Sequence, residues 1–350
     1  MPTSDLNPAA RRQIATWLFS VCVLIFAMVV LGGVTRLTRS GLSMVEWAPI
    51  MGIIPPLTEQ AWLETFAKYQ AFPEYKHINQ GMDLAGFKSI FWFEYAHRVL
   101  GRLIGFAFFV PFVVFWLRGK LTRALAPKLA AMFILGGLQG LLGWFMVKSG
   151  LVDVPHVSQY RLTAHLSLAI AIYGYMFWVA LGLVLPPNAY AGRSTSDRIR
   201  PYAIALMVLI GIMIVSGGFV AGTKAGYAYN TFPLMDGAWF PAGLYAATPW
   251  YHNLFEQHTT VQFNHRMLAY LITVAVIALT IIVHRTTAQE SIRYAIYGVF
   301  AAMVIQVTLG ISTLLSHMAV PIAAAHQGGA LIFLTATTIL MRLAMSSRTQ

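Results

Sequence analysis

Cysteine is almost absent from this 350-residue chain; the single copy, Cys22, sits inside a long apolar run. That excludes an intramolecular disulfide, a zinc site built on cysteines and a cysteine-held iron–sulfur cluster, and leaves histidine, with ten copies, as the plentiful transition-metal ligand. Charge is scarce as well. Only 10% of residues are Asp, Glu, Lys or Arg, 58% are hydrophobic, and the mean hydropathy is +0.66, well above that of soluble domains. The excess of 24 Lys and Arg over 12 Asp and Glu would suggest nucleic acid in a soluble protein. Here the basic residues fill short gaps between apolar runs and read as topology signals, so no nucleic-acid partner is expected. Nor is there a Gly-x-Gly-x-x-Gly after a strand-like run, so no flavin or nicotinamide fingerprint is present.

What is present is a series of eight stretches near the roughly 20 apolar residues that a bilayer requires. They fall near 14–35, 89–117, 127–148, 161–185, 200–222, 258–283, 292–315 and 321–343, and predict an all-α polytopic membrane protein. Residues 1–13 show neither a small-residue cleavage site nor the Arg- and Ser-rich character of a transit peptide, which predicts a retained anchor in a bacterial inner membrane. Arg11, Arg12, Arg118, Lys120, Arg123, Lys128, Arg193, Arg198, Arg200, Arg285, Arg293, Arg342 and Arg348 lie at alternate gaps and at both ends. The positive-inside rule puts them, and both termini, in the cytoplasm. The outer gaps at 36–88 and 223–257 are long. In the first, Trp62, Leu63, Phe66 and Tyr69 recur at helical spacing, suiting either a helix on the membrane surface or a packed loop helix.

The two halves match. His97 and His265 are separated by 168 residues, Gln139-Gly140-Leu141-Leu142-Gly143 and Gln306-Val307-Thr308-Leu309-Gly310 by 167, and Ala164-His165 and Ala325-His326 by 161. Four segments separate each pair, and an even number preserves direction. The expectation is two four-helix bundles, 14–185 and 200–343, related by a pseudo-two-fold axis along the membrane normal. A cytoplasmic N-terminus at 1–13, a linker at 186–199 and a tail at 344–350 complete the division.

His97, His165, His265 and His326 lie near the starts of segments that all enter from outside. At about 1.5 Å per residue, they sit roughly 6 to 12 Å below the outer end. Each half thus offers two imidazoles at one depth, as a helix bundle presents axial ligands to a haem. Two imidazoles per half leave a tetrahedral zinc short of ligands. Gly136, Gly137, Gly140 and Gly143, with Gly328 and Gly329, either leave room for a flat macrocycle or let helices approach closely. His77, His156, His252, His258, His284 and His317 read as solvated or interfacial. Arg98 and Arg266 follow two of the repeated histidines and suit haem propionates or lipid headgroups; Arg36, Arg161 and Lys224 are lesser candidates.

Chemistry enters through an asymmetry. Glu94, just under one turn before His97, is replaced by Gln262 before His265. A carboxylate can move protons or steer an oxidised intermediate, which an amide does poorly, so the reaction is assigned to the first half and a permanent cofactor to the second. The competing reading is that Glu94 merely pairs with Arg98 at i,i+4.

These residues resemble the haem A synthase family along nearly the whole chain. The resemblance rests on Gly32-Gly33-Val34-Thr35-Arg36-Leu37-Thr38 with Ser40-Gly41-Leu42-Ser43 and Trp47, on Glu94-Tyr95-Ala96-His97-Arg98, and on Gln139-Gly140-Leu141-Leu142-Gly143. Tyr229-Asn230-Thr231-Phe232-Pro233-Leu234-Met235, Asn264-His265-Arg266 and His326-Gln327 complete it. It implies oxidation of the C8 methyl of haem O to a formyl group by two hydroxylations, through a geminal diol that loses water. It also implies haem B held by His265 and His326, substrate haem between His97 and His165, and Glu94 as the catalytic carboxylate. Some members carry a cysteine pair in the first outer loop; this chain has none, which excludes a thiol role there and places it with the branch shared by alphaproteobacteria and mitochondria. The implied partners are an electron donor, haem O synthase and oxidase assembly factors. Two rivals predict different features: a di-haem cytochrome b-like electron carrier, against which Glu94 speaks, and a transporter, which would need helices broken at mid-bilayer. Haem prenylation is set aside because no pair of Asp-rich motifs is present.

Overall fold

The computed structural model describes residues 7–46, 53–150, 157–185 and 190–345, with the side chains of 149 and 150 excepted. Trp47, His156 and Arg348 lie outside the described residues. Apart from isolated bridges, among them Met235 to Ala238, the regular structure among these residues is helical. In chain order the α-helices are α1 (Pro8–Leu37), α2 (Glu59–Gln70), α3 (Pro73–His77), α4 (Leu84–Leu117), α5 (Ala126–Gly150), α6 (Gln159–Val184), α7 (Arg193–Thr223), α8 (His252–Phe255), α9 (His258–Thr286), α10 (Glu290–Leu315) and α11 (Val320–Leu343). Eight of them are long and apolar enough to cross a bilayer, so the protein is a multi-pass membrane protein.

The helices outrun the apolar stretches that announce them. α7 begins at Arg193, inside the segment expected as the 186–199 linker, and Ser196 and Ile199 are already buried. α1 begins at Pro8, where the Asn7 side chain accepts from Ala9 N at 3.0 Å. The bilayer criterion counts residues in hydrocarbon, whereas backbone hydrogen bonding continues through the interface, where polar side chains still reach water.

α1 packs on α4 and α6, and α5 on both of those, closing one ring of four helices. α7, α9, α10 and α11 close a second ring in the same way. The rings meet where α1 touches α11 and where α6 touches α7 and α11. They are not equally closed: buried residues make up 11% of the apolar window of α4 and 6% of that of α5, against 22% for both α9 and α10.

The helix α2 packs its aromatic face on the start of α4, as the packed-loop-helix reading expects. Trp62, Phe66 and Tyr69 are buried against Phe87, Ile90 and Phe91 at the start of α4, with Trp62 edge-on to Phe91 at 4.9 Å. Leu63, one residue off that i, i+4, i+7 face, remains exposed.

Candidate haem-binding site

Each of the four repeated histidines is seated against a glycine of the long helix before it. A Cβ at Gly32 of α1 would lie 3.0 Å from His97 Cε1, and one at Gly143 of α5 would lie 2.8 Å from His165 Cε1. In the second ring a Cβ at Gly217 of α7 would lie 3.3 Å from His265 Cε1, and one at Gly310 of α10 would lie 3.0 Å from His326 Cε1. At Gly143 a side chain would force the ring to move, and at the other three places it would crowd it. Within each ring the two imidazoles are close enough to interact electrostatically, His97 with His165 and His265 with His326. All four are partly exposed, although Nδ1 of His97 and of His326 is sealed and without a hydrogen-bond partner.

The glutamines of the repeated Gln-x-x-Leu-Gly stretch hold the other histidine of each pair. Gln139 Nε2 donates to the His165 carbonyl at 3.0 Å, and Gln306 Nε2 donates to the His326 carbonyl at 3.0 Å. The Oε1 atoms of both glutamines are buried without a partner.

The Glu/Gln and Arg positions flanking His97 and His265 grip the loops that follow α1 and α7. Glu94, 3% exposed, accepts from Ser43 Oγ at 2.8 Å and from Met44 N at 2.7 Å on Oε2, and pairs with Arg98 on Oε1 at 2.5 Å. Arg98 also donates to the carbonyls of Met44 and Glu46, at 2.7 and 3.0 Å. In the second ring Arg266 donates to the carbonyls of Tyr229 and Thr231, at 3.0 and 2.9 Å, and Gln262 Nε2 donates to Tyr229 O at 2.9 Å. Met44 and Tyr229, like Glu46 and Thr231, differ by 185. The i,i+4 pairing of Glu94 with Arg98 is therefore present, alongside a loop contact that the sequence did not suggest. Both guanidiniums are engaged by loop carbonyls, so holding the loops is their visible work and a propionate contact would be additional.

Residues 15–338 match the model of a family described as COX15-CtaA, cytochrome oxidase assembly protein. The chain belongs to the COX15-CtaA family. It is 52% identical over 333 residues to a protein of Nitrosospira multiformis named Heme A synthase, covering 95% of this chain and 94% of that one. A Heme A synthase of Nitrosomonas eutropha is 49% identical over 334 residues, 95% of this chain and 94% of that protein. Heme A synthase COX15 of Arabidopsis thaliana is 43% identical over 343 residues, 95% of this chain and 75% of that protein.

The donor chemistry of this COX15-CtaA chain suits haem iron, which paired imidazoles ligate. Among the described residues no group of three or more His, Cys, Asp or Glu converges as a bare-ion cage would, while the two imidazoles of each ring are near enough to act on each other electrostatically. In the second ring a small apolar cavity of about 50 Å³, much less than a macrocycle fills, lies between all four helices, with Ile210, Ala269, Val307 and Ala330 among its lining. Ala269 and Ala330 lie one turn from His265 and His326. Of the glycines read as room for a macrocycle, Gly136, Gly137 and Gly140 face open space, and Gly143 seats His165. Gly328 instead packs on Val30 and Phe26 of α1, and Gly329 on Gln306 and Leu309, which is helix packing. His77, His258, His284 and His317 are exposed, and His252 pairs with Glu256 at 3.1 Å.

Three features escaped sequence reasoning. The Gly32-Gly33 and Gly217-Gly218 pairs are a repeat signal, but at 185 rather than 168, because the loop between α1 and α4 is longer than that between α7 and α9. The loop clamps use backbone carbonyls, which leave no residue-type signature. Glu74 of α3 is 4% exposed with Oε2 unpartnered, and its carboxyl is pushed up to about 7, first by burial and then by the charge of Glu94, with Arg39 opposing.

Proposed function

We propose that this chain is a haem A synthase, an oxidoreductase that converts the C8 methyl of haem O to a formyl group by successive hydroxylations and so supplies haem A to terminal oxidases. The observation that carries the reading is a duplicated, glycine-seated histidine pair with a carboxylate beside only one copy. The family and the three named relatives agree with it.

The two rings are read as pseudo-two-fold-related bundles, 14–185 for the substrate and 200–343 for the cofactor. His97 and His165 flank the iron of haem O, and His265 and His326 hold haem B. Bound haem B supplies electron relay from an external donor. The more open α4 and α5 suit the half that must admit and release a substrate. Glu94, fixed by Ser43, Met44 and Arg98, is a stationary negative group next to His97 rather than a swinging arm. Its work is to stabilise positive charge developing at the methyl carbon or to accept a proton there. Arg98 and Arg266 hold the outer loops over the two pockets. Both termini are placed in the cytoplasm of a bacterial inner membrane, with the histidines towards the periplasm. Haem O synthase and oxidase assembly factors are the proposed delivery and acceptor partners; repeated mild-detergent purification that recovers neither would end that proposal.

The test is to co-express the protein with a haem O synthase, purify it in detergent, and identify the extracted porphyrins by chromatography and mass. Haem B together with C8-oxidised haem, with oxidation lost in Glu94→Ala and haem B lost in His265→Ala, supports the synthase. Two equivalents of unmodified haem B in both the wild type and the Glu94 variant would mean a di-haem electron carrier.

A further inference from the structure

The two rings share their backbone register across α1 and α7. Gly32 and Gly217 each seat an imidazole, and Met44/Tyr229 and Glu46/Thr231 each accept from the following helix's arginine, all at a shift of 185. In that register the residue before the seating glycine is Leu31 in the first ring and Ser216 in the second. Ser216 Oγ lies 3.1 Å from His265 Nδ1. Leu31 has no polar atom to offer, and His97 Nδ1 is sealed with no hydrogen-bond partner among the described residues.

A histidine that ligates through Nε2 carries a proton on Nδ1. An acceptor for that proton fixes the ring's tautomer and rotation and raises its basicity as a ligand. Without one, the ring is held by packing and by the metal alone. On the facing helices His326 Nδ1 has no partner, and the atom nearest His165 Nδ1 is the amide nitrogen of Gln139 at 3.1 Å, a donor that cannot accept the Nδ1 proton. Of the four imidazoles, His265 is the one with an acceptor beside Nδ1 among the described residues.

We propose that Ser216 is a positioning residue that makes His265 the anchoring ligand of the retained haem, and that Leu31 leaves His97 as the ligand that releases the substrate iron. This deepens the two-half reading above and rests on it. His97 lies on α4, the helix that also carries Glu94, so the releasing imidazole and the fixed carboxylate are less than one turn apart on one helix.

The full-length protein, co-expressed with haem O synthase and purified with its haems, provides the test. Ser216→Ala is expected to speed transfer of haem B to excess apomyoglobin by about tenfold or more and to move the low-spin ferric EPR signal of that haem; Ser216→Thr restores both. Leu31→Ser, which offers His97 an acceptor, is expected to slow carbon monoxide binding to the reduced substrate haem by about tenfold. Wild-type haem loss and EPR signal in Ser216→Ala would overturn the anchoring role, and unchanged carbon monoxide binding in Leu31→Ser would overturn the releasing role of His97. Retention of haem B by His265→Ala would instead defeat the two-half reading itself. Loss of haem B in His265→Ala, with Ser216→Ala unaltered, would defeat only this inference.

Discussion

Glu94 accepts on both carboxylate oxygens, from Arg98 on one side and from Ser43 and Met44 on the other, so its removal should be felt in two ways. Glu94→Gln reproduces the residue type found at Gln262 but leaves the nearly buried Arg98 without its anion, a loss on the order of 3 kcal/mol for a buried pair. Haem A formation in that variant is expected to fall by about 100-fold or more. The double variant Glu94→Gln/Arg98→Met should regain thermal stability but not product, assayed by porphyrin extraction; recovery of product would reduce Glu94 to a counter-ion. Glu74 gives a pH dependence. Its carboxyl stands at about 7 in the fold against 4.5 as the ordinary value, so the folded protein binds the extra proton between those limits. Stability is then full below about pH 4.5, falls as the pH rises towards 7, and levels off above it, a change on the order of 3 kcal/mol. Melting of Glu74→Gln across pH 5 to 8 should lack that slope, and a wild-type slope in the variant would assign it elsewhere.

At the scale of helices, the four glycine seats make the two rings separately addressable. Gly310→Ala drives a methyl group against His326 and Gly143→Ala drives one against His165, each an overpacking of about 1 to 3 kcal/mol. Gly310→Ala is expected to purify without haem B, while Gly143→Ala keeps haem B and fails to convert haem O, as haem analysis would show; the reverse pattern would exchange the two halves. Another glycine serves the seam between rings. A Cβ at Gly222 of α7 would meet the backbone Cα of Gln159 in α6 at 2.7 Å, and backbone cannot step aside as a side-chain tip can. Gly222→Ala should therefore lower the melting temperature even where both haem pockets are intact.

For the whole molecule the decisive quantity is orientation. Cys22 is the only thiol and is buried, so an introduced cysteine is the only reactive one. His77→Cys, in the first outer loop, should react with a membrane-impermeant maleimide in intact spheroplasts, and Ser194→Cys at the start of α7 only after permeabilisation. The opposite result would invert the protein and carry the four histidines to the cytoplasmic leaflet.

The eight spans, the four histidines and the Glu94/Gln262 asymmetry were legible in the chain, because each depends on residue type and on spacing along one helix. Hydrocarbon demands an apolar length, and a helix repeats its faces every three to four residues, so such features need no knowledge of neighbours. Contacts between helices and loops were not legible. Which glycine seats which imidazole, the hold of Arg98 and Arg266 on loop carbonyls, the burial of Glu74 and the hydroxyl of Ser216 beside His265 all join residues far apart in sequence. Backbone acceptors have no residue identity, and unequal loops shift the register of the repeat from 168 to 185. The sequence by itself determined what crosses the membrane and which side chains can bind metal; the tertiary structure decided which of them are held, because only packing brings an acceptor to a ring nitrogen.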